Sequence, residues 1–198
     1  MHSDLAPVSG PYTWQDEDVT AYVAMLGRLG LTAHPEPLLQ VWSSESGLSP
    51  CPPRNGPAVG ICQFEPGTLQ GLGYDLAADP RLEAFVALPV AAQLVYAERY
   101  YHTGARYCDT LAGAYAWTFL PAQAAKAHAD SGFVLCGATM PYPGAYAANW
   151  RAFDPSHSGL IRGCDLETRA LRAWGDRGKA ILARVQAAMA APPAPSCT

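Results

Sequence analysis

The chain has 198 residues, of which 49% are hydrophobic and 15% charged, and its formal net charge is −4. This composition suits one globular domain with small appendages, and the acidic balance gives no electrostatic reason to expect nucleic acid or an anionic membrane as a partner. No apolar run reaches the roughly 18 residues of a transmembrane helix, so we expect no membrane span.

Apolar residues recur with a helical period in the first quarter of the chain. The first predicted helix follows a capping arrangement of Thr13 with Asp16 and ends at Gly30. The second predicted helix carries Glu45 in its last turn, just ahead of Gly47, which offers a glycine for the C-terminal cap.

The rest of the chain shows the same apolar periodicity, interrupted by turn residues. Its predicted elements are a loop over 47–60, a short strand or turn at 59–64, helical turns at 66–72 and 80–87, a helix from Pro89 to Gly104, a buried helix capped by Asp109, a short helix after Pro121 and a long helix from Asp165 to Met189. Strand patterns are few, so the predicted fold class is mainly α.

The setting of Glu45 favours an acid that keeps its proton near neutral pH. Leu38, Val41 and Trp42 precede it by one and two turns on the same helical face. Desolvation at the end of this apolar stripe and the negative end of the helix dipole both disfavour the ionised carboxylate. A raised pKa is what a general acid needs. The alternative is a solvated glutamate in the last turn of a helix.

Three motifs follow one another in the chain: "ESGLSP" at 45–50, "GPAVGICQFEPGT" at 56–68 and "LAGAYAWTFLP" at 111–121. Their order and approximate spacing resemble the soluble lytic transglycosylase family, which shares the lysozyme fold with goose-type lysozymes. The resemblance covers about residues 35–125. The third motif departs from the family pattern, since Ala116 stands where the family usually has asparagine.

The resemblance implies a lysozyme-like (transglycosylase) fold with a C-terminal helical extension. We therefore predict a catalytic domain over 1–145, a helical extension over 146–191 and a disordered tail at 192–198.

The resemblance also implies roles for individual residues. Glu45 corresponds to the catalytic acid, which protonates the glycosidic oxygen between N-acetylmuramic acid (MurNAc) and N-acetylglucosamine (GlcNAc). Ser46 corresponds to the serine beside that acid, and Gln63 to a glutamine that hydrogen-bonds the substrate. Tyr115 corresponds to a tyrosine whose hydroxyl approaches the catalytic carboxylate. The alternatives are a turn-stabilising amide for Gln63 and a core aromatic for Tyr115.

The reaction type depends on whether a second carboxylate faces the acid. Two-carboxylate hydrolases hold the pair about 5–5.5 Å apart for retention or about 6.5–9.5 Å for inversion. A lytic transglycosylase needs one carboxylate, because the MurNAc 6-hydroxyl attacks the anomeric carbon. Candidates for a second carboxylate are Glu65, Asp75 and Asp79, and Glu65 shares a side with the predicted substrate-binding Gln63 if the chain there is extended. We favour cleavage to a 1,6-anhydro product.

The segment from Asp154 to Asp165 matches the spacing of an EF-hand loop, including Gly159 at the sharp turn. Only two carboxylates remain in it, and Arg162 occupies a ligand position. We interpret this segment as a structural turn that docks the final helix, with Asp165 as its N-cap. We predict no metal site and no cofactor.

Six cysteines show neither a CxxC pair nor zinc-ligand spacing. Cys51 and Cys62 flank one loop, where they form either a disulfide or two free thiols. Trp42 and Trp117 are the tryptophans nearest the predicted cleft, where sugar stacking and core packing are the two alternatives.

These features predict a peptidoglycan-cleaving enzyme whose partners are glycan strands and, in a virion or secretion machine, other proteins. The N-terminus lacks a basic region followed by an apolar stretch, so we expect no ordinary signal peptide and consider a phage virion protein that acts in the periplasm or cell wall. One alternative is an inactive or weak glycan-binding or structural module of lysozyme-like fold. Another is a chitin-cleaving enzyme of the same fold.

Overall fold

The computed structural model describes residues 12–52 and 56–191 and is mainly helical, as predicted. Its α-helices are α1 (Asp16–Leu29), α2 (Glu36–Ser46), α3 (Pro66–Gly71), α4 (Glu83–Val86), α5 (Val90–Tyr101), α6 (Leu111–Phe119), α7 (Ala124–Ala129), α8 (Pro143–Phe153), α9 (Gly163–Ala173) and α10 (Asp176–Ala190). Two strands, β1 (Val134–Gly137) and β2 (Leu160–Arg162), pair antiparallel, and single 3-10 turns occupy Ala105–Tyr107 and Pro121–Gln123. The predicted tail at 192–198 lies outside the described residues.

One apolar core joins the long helices. Helix α1 packs against α5 and α10, while α2 packs against α6 and α9. Buried aromatic rings run through this core in edge contacts from Trp14 to Tyr22 and from Tyr22 to Trp42. The indole nitrogen of Trp42 donates to the hydroxyl of Tyr101 at 3.1 Å. Of the two alternatives for Trp42, the structure therefore shows core packing.

Several helix boundaries differ from those predicted. Helix α1 is capped by Asp18, whose carboxylate accepts from the backbone N–H of Gln15 at 2.9 Å, and not by Thr13 with Asp16. The hydroxyl of Thr110, not Asp109, caps α6. In both cases the backbone N–H at the start of the helix is bound by a polar side chain that lies later in the sequence than the predicted cap.

The predicted final helix from Asp165 to Met189 is two helices. The chain leaves the helical conformation at Trp174 and Gly175, whose ψ angles are 83° and −171°. Glycine has a low helix propensity, and the break allows α9 to pack on α2 and α6 while α10 packs on α1. The predicted N-cap, Asp165, instead lies in the first turn of α9, where it accepts from the backbone N–H of Arg162 at 2.7 Å.

The C-terminal third shares the core of the remainder. The predicted domain boundary at 145 and 146 falls inside α8, and buried residues on both sides of it belong to one apolar cluster. Helix α8 and the strand pair were not predicted from the sequence. Among the described residues, no helix has both the length and the apolar character needed to span a membrane.

Candidate active site

The last turn of α2 holds the predicted acid at the edge of the core. Leu38, Val41 and Trp42 are fully buried beneath it, while Glu45 itself is half-buried. Helix α2 ends because Gly47 adopts the left-handed conformation, with φ of 62°, that glycine tolerates best. The carboxylate therefore lies where an apolar helix face meets the surface.

Tyr115 reaches this carboxylate from α6. Its side chain is buried, and its hydroxyl donates to Oε1 of Glu45 at 2.7 Å. The ring packs edge-on against Phe153 with centroids 5.6 Å apart. The two predicted site residues that are farthest apart in sequence are thus in direct contact.

Two further side chains, absent from the predicted set, meet the same hydroxyl. Arg169 of α9 donates from Nε to the oxygen of Tyr115 at 3.2 Å, and the Oγ of Ser44 lies 2.8 Å from that oxygen. Tyrosine has one hydroxyl hydrogen, which goes to Glu45, so Ser44 is a donor in this arrangement. The result is a four-residue network around one phenol oxygen.

Ser44 and Arg169 differ in how far their place at the site could be predicted from the sequence. Ser44 is one position before Glu45 in "SSES", so its proximity to the acid is visible in the sequence, although the site residue predicted beside the acid was Ser46. Arg169 had no sequence signal, since it lies in α9, 54 residues beyond Tyr115.

The environment raises the pKa of Glu45. Burial is the largest cause, because a carboxylate loses hydration there. The hydrogen bond from Tyr115 and the positive charge of Arg169 act in the opposite direction but do not cancel the effect of burial. Burial, followed by the nearby Glu45, also raises the pKa of Tyr115, so the phenol remains a proton donor. The site therefore favours a protonated acid beside a neutral hydroxyl.

The other predicted site residues lie at different places around the loop that follows α2. The buried Ser46 donates to the carbonyl of Trp42 at 3.0 Å, within its own helix. Gln63 has a positive φ of 52°, and its side-chain amide donates to the carbonyl of Gly60 at 3.0 Å. The substrate-binding roles of Ser46 and Gln63 stay predictions, since the hydroxyl of Ser46 and the side-chain amide of Gln63 both donate to backbone carbonyls of the protein.

The loop itself is held by Gln93, a residue that was not among the predicted site residues. The side chain of Gln93 is fully buried: its oxygen accepts from Ile61 N–H at 2.8 Å, and its amide donates to the carbonyl of Pro50 at 3.0 Å. A Cβ on Gly60 would lie 2.7 Å from the Gln93 oxygen, and the φ of Gly60 is 75°. Gln93 and Gly60 thus fix the path of the chain after the acid.

Two of the three candidate second carboxylates cap local backbone. Asp75 accepts from the N–H groups of Ala77 and Ala78. Asp79 accepts from the phenol of Tyr74 and from three N–H groups at the start of α4. Although its burial acts in the other direction, these hydrogen bonds lower the pKa of Asp79.

The third candidate, Glu65, is exposed at the N-terminus of α3. Its carboxylate has no hydrogen-bond partner among the described residues. Of the three, Glu65 is therefore the one that remains available to a substrate.

Protein donors engage the first carboxylate of the EF-hand-like segment. The buried carboxylate of Asp154 accepts hydrogen bonds from four groups, namely Ser158 N–H, Gly159 N–H, the hydroxyl of Ser156 and the phenol of Tyr146. Burial alone would raise the pKa of Asp154, but the hydrogen bonds from Ser158, Tyr146 and Gly159 lower it. No group of three or more potential metal-ligating side chains occurs within 12–52 and 56–191.

The cysteines in the described ranges are free thiols. Cys51 is exposed and Cys62 is buried, so the structure shows the free-thiol alternative for this pair. Burial, followed by the proximity of Glu45, raises the pKa of Cys62 well above its ordinary value.

Comparisons with protein-family models, curated proteins and solved structures found no significant match to the chain.

Proposed function

We propose that the chain is a peptidoglycan-cleaving enzyme of lysozyme-like fold, a lytic transglycosylase that acts on the β-1,4 bond between MurNAc and GlcNAc with Glu45 as its general acid and base. The observation that carries the proposal is the contact between Glu45 and Tyr115 in a setting that raises the pKa of the acid. The reaction class comes from the resemblance of the three motifs, in their order and approximate spacing, to those of soluble lytic transglycosylases.

In the proposed reaction, protonated Glu45 donates its proton to the glycosidic oxygen as the bond from the MurNAc anomeric carbon to that oxygen breaks. The GlcNAc side leaves with a new hydroxyl. The ionised Glu45 is then stabilised by the hydrogen bond from Tyr115 and by the charge of Arg169. It removes the proton from the MurNAc 6-hydroxyl as that oxygen attacks the anomeric carbon. The product is a 1,6-anhydro sugar, and Glu45 regains its proton.

A mechanism with a single carboxylate is consistent with the arrangement around the site. Asp75 and Asp79 are occupied with backbone N–H groups, and the side chains that act on the pKa of Glu45 are those of Tyr115 and Arg169. Hydrolysis through two carboxylates would rely on Glu65, which we propose as a substrate contact together with Ser46 and Gln63. The proposed place of action is the cell wall, where glycan strands are found.

A glycan-binding or structural module without activity is the second candidate. The observation that favours it is Ala116, which is fully buried next to Tyr115 and supplies no amide where the family usually has asparagine. Such a module would retain a glycan cleft and lose bond cleavage.

Clearing of purified peptidoglycan separates the two candidates. We expect the wild-type chain to reduce the turbidity of a cell-wall suspension and Glu45→Gln to lose that activity at least about a hundredfold, since a general acid contributes roughly 10²–10⁴-fold. Glu17→Gln, an exposed carboxylate on α1, is the matched control and should clear at the wild-type rate. Equal clearing by wild type and Glu45→Gln would refute Glu45 as the general acid, whereas binding without clearing by the wild type would refute the enzyme and favour the module.

A further inference from the structure

A shallow depression with a volume of 280 Å³ opens beside the network around Tyr115. Its lining residues are Ser44, Ala152, Arg169, Arg172 and Ala173. Two of these carry a positive charge and none carries a negative one. We call this surface the arginine depression.

The guanidinium of Arg169 is held in place before any ligand binds. Its Nε donates to the phenol oxygen of Tyr115, and its central carbon lies 5.1 Å from the ring centroid of Phe153. The two terminal amino groups have no acceptor among the described residues. A fixed guanidinium with free terminal N–H groups is suited to bind a carboxylate through two hydrogen bonds.

Arg172 follows Arg169 by three residues in α9, so the two share a helix face. Its exposed side chain forms no ion pair or hydrogen bond in the part of the chain that the structure describes. The carbonyl of Ala173, which would otherwise add a negative partial charge to the depression, accepts a hydrogen bond from Ser43 at 2.8 Å. The ligand chemistry that these groups favour is anionic.

We propose that the arginine depression is a subsite for a carboxylate carried by the glycan substrate. This inference rests on the proposed function, because it takes its ligand from the substrate of that reaction. Arg169 and Arg172 bind the carboxylate, and the hydroxyl of Ser44 lies at the side of the depression that meets Tyr115.

The position of the depression indicates which part of the substrate it receives. Arg169 contacts the phenol oxygen of Tyr115, which in turn contacts Glu45, so one hydroxyl separates the depression from the acid. A carboxylate bound there belongs to a sugar next to the cleaved bond. The volume lies just below the about 300–1,000 Å³ of typical ligand pockets, which suits a carboxylate on a short arm and not a whole disaccharide.

Peptidoglycan offers two sources of such a carboxylate. The lactyl group of MurNAc is a free carboxylate on glycan without peptides, whereas on peptide-bearing glycan the acidic residues of the stem peptide supply one. Chitin, a polymer of GlcNAc, carries neither. The subsite would therefore select muramyl glycan over chitin and argues against the chitin-cleaving alternative.

Calorimetric titration of the Glu45→Gln chain with matched oligosaccharides tests the subsite without turnover. The probes are a neutral GlcNAc tetramer, a peptide-free GlcNAc–MurNAc tetrasaccharide with free lactyl carboxylates, and the same tetrasaccharide with stem peptides. Two further variants are made in the Glu45→Gln chain. One adds Arg172→Gln, an exposed substitution that should leave folding intact, and the other adds Arg169→Gln. The control adds Arg106→Gln, which removes an exposed arginine outside the depression.

We expect Arg172→Gln to weaken binding of the carboxylate-bearing probes by about fivefold at low salt, as for a partly exposed charge-assisted contact. Binding of the GlcNAc tetramer should not change, and Arg106→Gln should have no effect. Loss of affinity with the peptide-free probe would assign the lactyl carboxylate, whereas loss confined to the peptide-bearing probe would assign the stem peptide.

An equal loss for the neutral and charged probes would overturn the subsite, as would no loss for any probe or no binding to the Glu45→Gln parent. These results are separate from a failure of the proposed function. A wild-type chain that binds muramyl probes through Arg172 but yields no cleavage product would retain the subsite and lose the enzyme.

Discussion

The hydroxyl of Tyr115 donates a 2.7 Å hydrogen bond to Oε1 of Glu45, across the packing of α6 against α2. This contact joins a helix whose apolar stripe ends in a carboxylate to a helix buried behind it. Because the bond favours the ionised acid while burial disfavours it more strongly, the pair sets how readily Glu45 releases and recovers a proton.

Removal of this hydroxyl should change the pH dependence of the reaction. In Tyr115→Phe the ionised Glu45 loses a donor, so its pKa rises further and the alkaline limb of kcat/KM moves to higher pH. The measurement is the initial rate of peptidoglycan clearing at subsaturating substrate across pH 4–9. Tyr146→Phe is the matched control, since Tyr146 donates to a different carboxylate, that of Asp154. An unchanged or acid-shifted limb in Tyr115→Phe would contradict the role of the pair.

Replacement of the acid should stabilise the fold in a pH-dependent way. The folded-state pKa of Glu45 is raised above its ordinary value of 4.5, so its stabilising contribution is present below that pH and is lost as pH rises through the folded pKa. Glu45→Gln should therefore melt close to wild type at pH 4 and above it at pH 8. Each unit of upward shift corresponds to about 1.4 kcal/mol.

Thermal unfolding at the two pH values checks this expectation, with Glu17→Gln as an exposed control. If the difference in melting temperature between Glu45→Gln and wild type were the same at pH 4 and at pH 8, burial would not raise the pKa of the Glu45 carboxyl.

The buried amide that holds the loop should matter for stability. Gln93→Leu keeps a side chain of similar size but removes the partners of Ile61 N–H and the Pro50 carbonyl, so we expect a loss of about 2–4 kcal/mol in the free energy of unfolding. Urea unfolding measures it. Gln186→Leu, on the exposed side of α10, should change the free energy little. Similar values for the two variants would argue that the loop does not depend on Gln93.

Calcium should not stabilise the chain through the segment from Asp154 to Asp165. Its first carboxylate is already satisfied by four protein donors, so millimolar CaCl₂ or EDTA should leave the melting temperature unchanged. Asp154→Asn should lower the free energy of unfolding by about 1–3 kcal/mol at pH 7, because the N–H groups of Ser158 and Gly159 lose a charged acceptor. The folded-state pKa of Asp154 is lowered, so this difference should shrink as pH falls below its ordinary value of 3.8. A calcium-dependent rise in melting temperature, abolished in Asp154→Asn, would instead establish a cation site.

Local patterns in the sequence were sufficient to predict the two helices that carry Glu45 and Tyr115. The apolar stripe of α2 and the glycine after it placed Glu45 correctly at the end of a helix, and the periodicity of the third motif placed Tyr115 in a buried helix. These features follow from the helical period and from cap chemistry, which nearby residues determine.

The remainder of the site depends on how distant helices pack. Arg169 reaches Tyr115 only because α9 ends at the break near Gly175 and lies across α2 and α6, and a continuous helix was predicted there. Ser44 and Ser46 flank the acid equally in sequence, but the position of α6 decides that Ser44 meets Tyr115. Periodicity reports which face of a helix is apolar and not which helix covers it.

The most direct test of the central claim is mass spectrometry of the products released from purified peptidoglycan, with Glu45→Gln in parallel. The proposed mechanism, in which the half-buried Glu45 alone activates the MurNAc 6-hydroxyl, predicts muropeptides ending in 1,6-anhydro-MurNAc from the wild type and none from the variant. Reducing MurNAc ends from the wild type would contradict the one-carboxylate mechanism and direct attention to Glu65 as the second carboxylate.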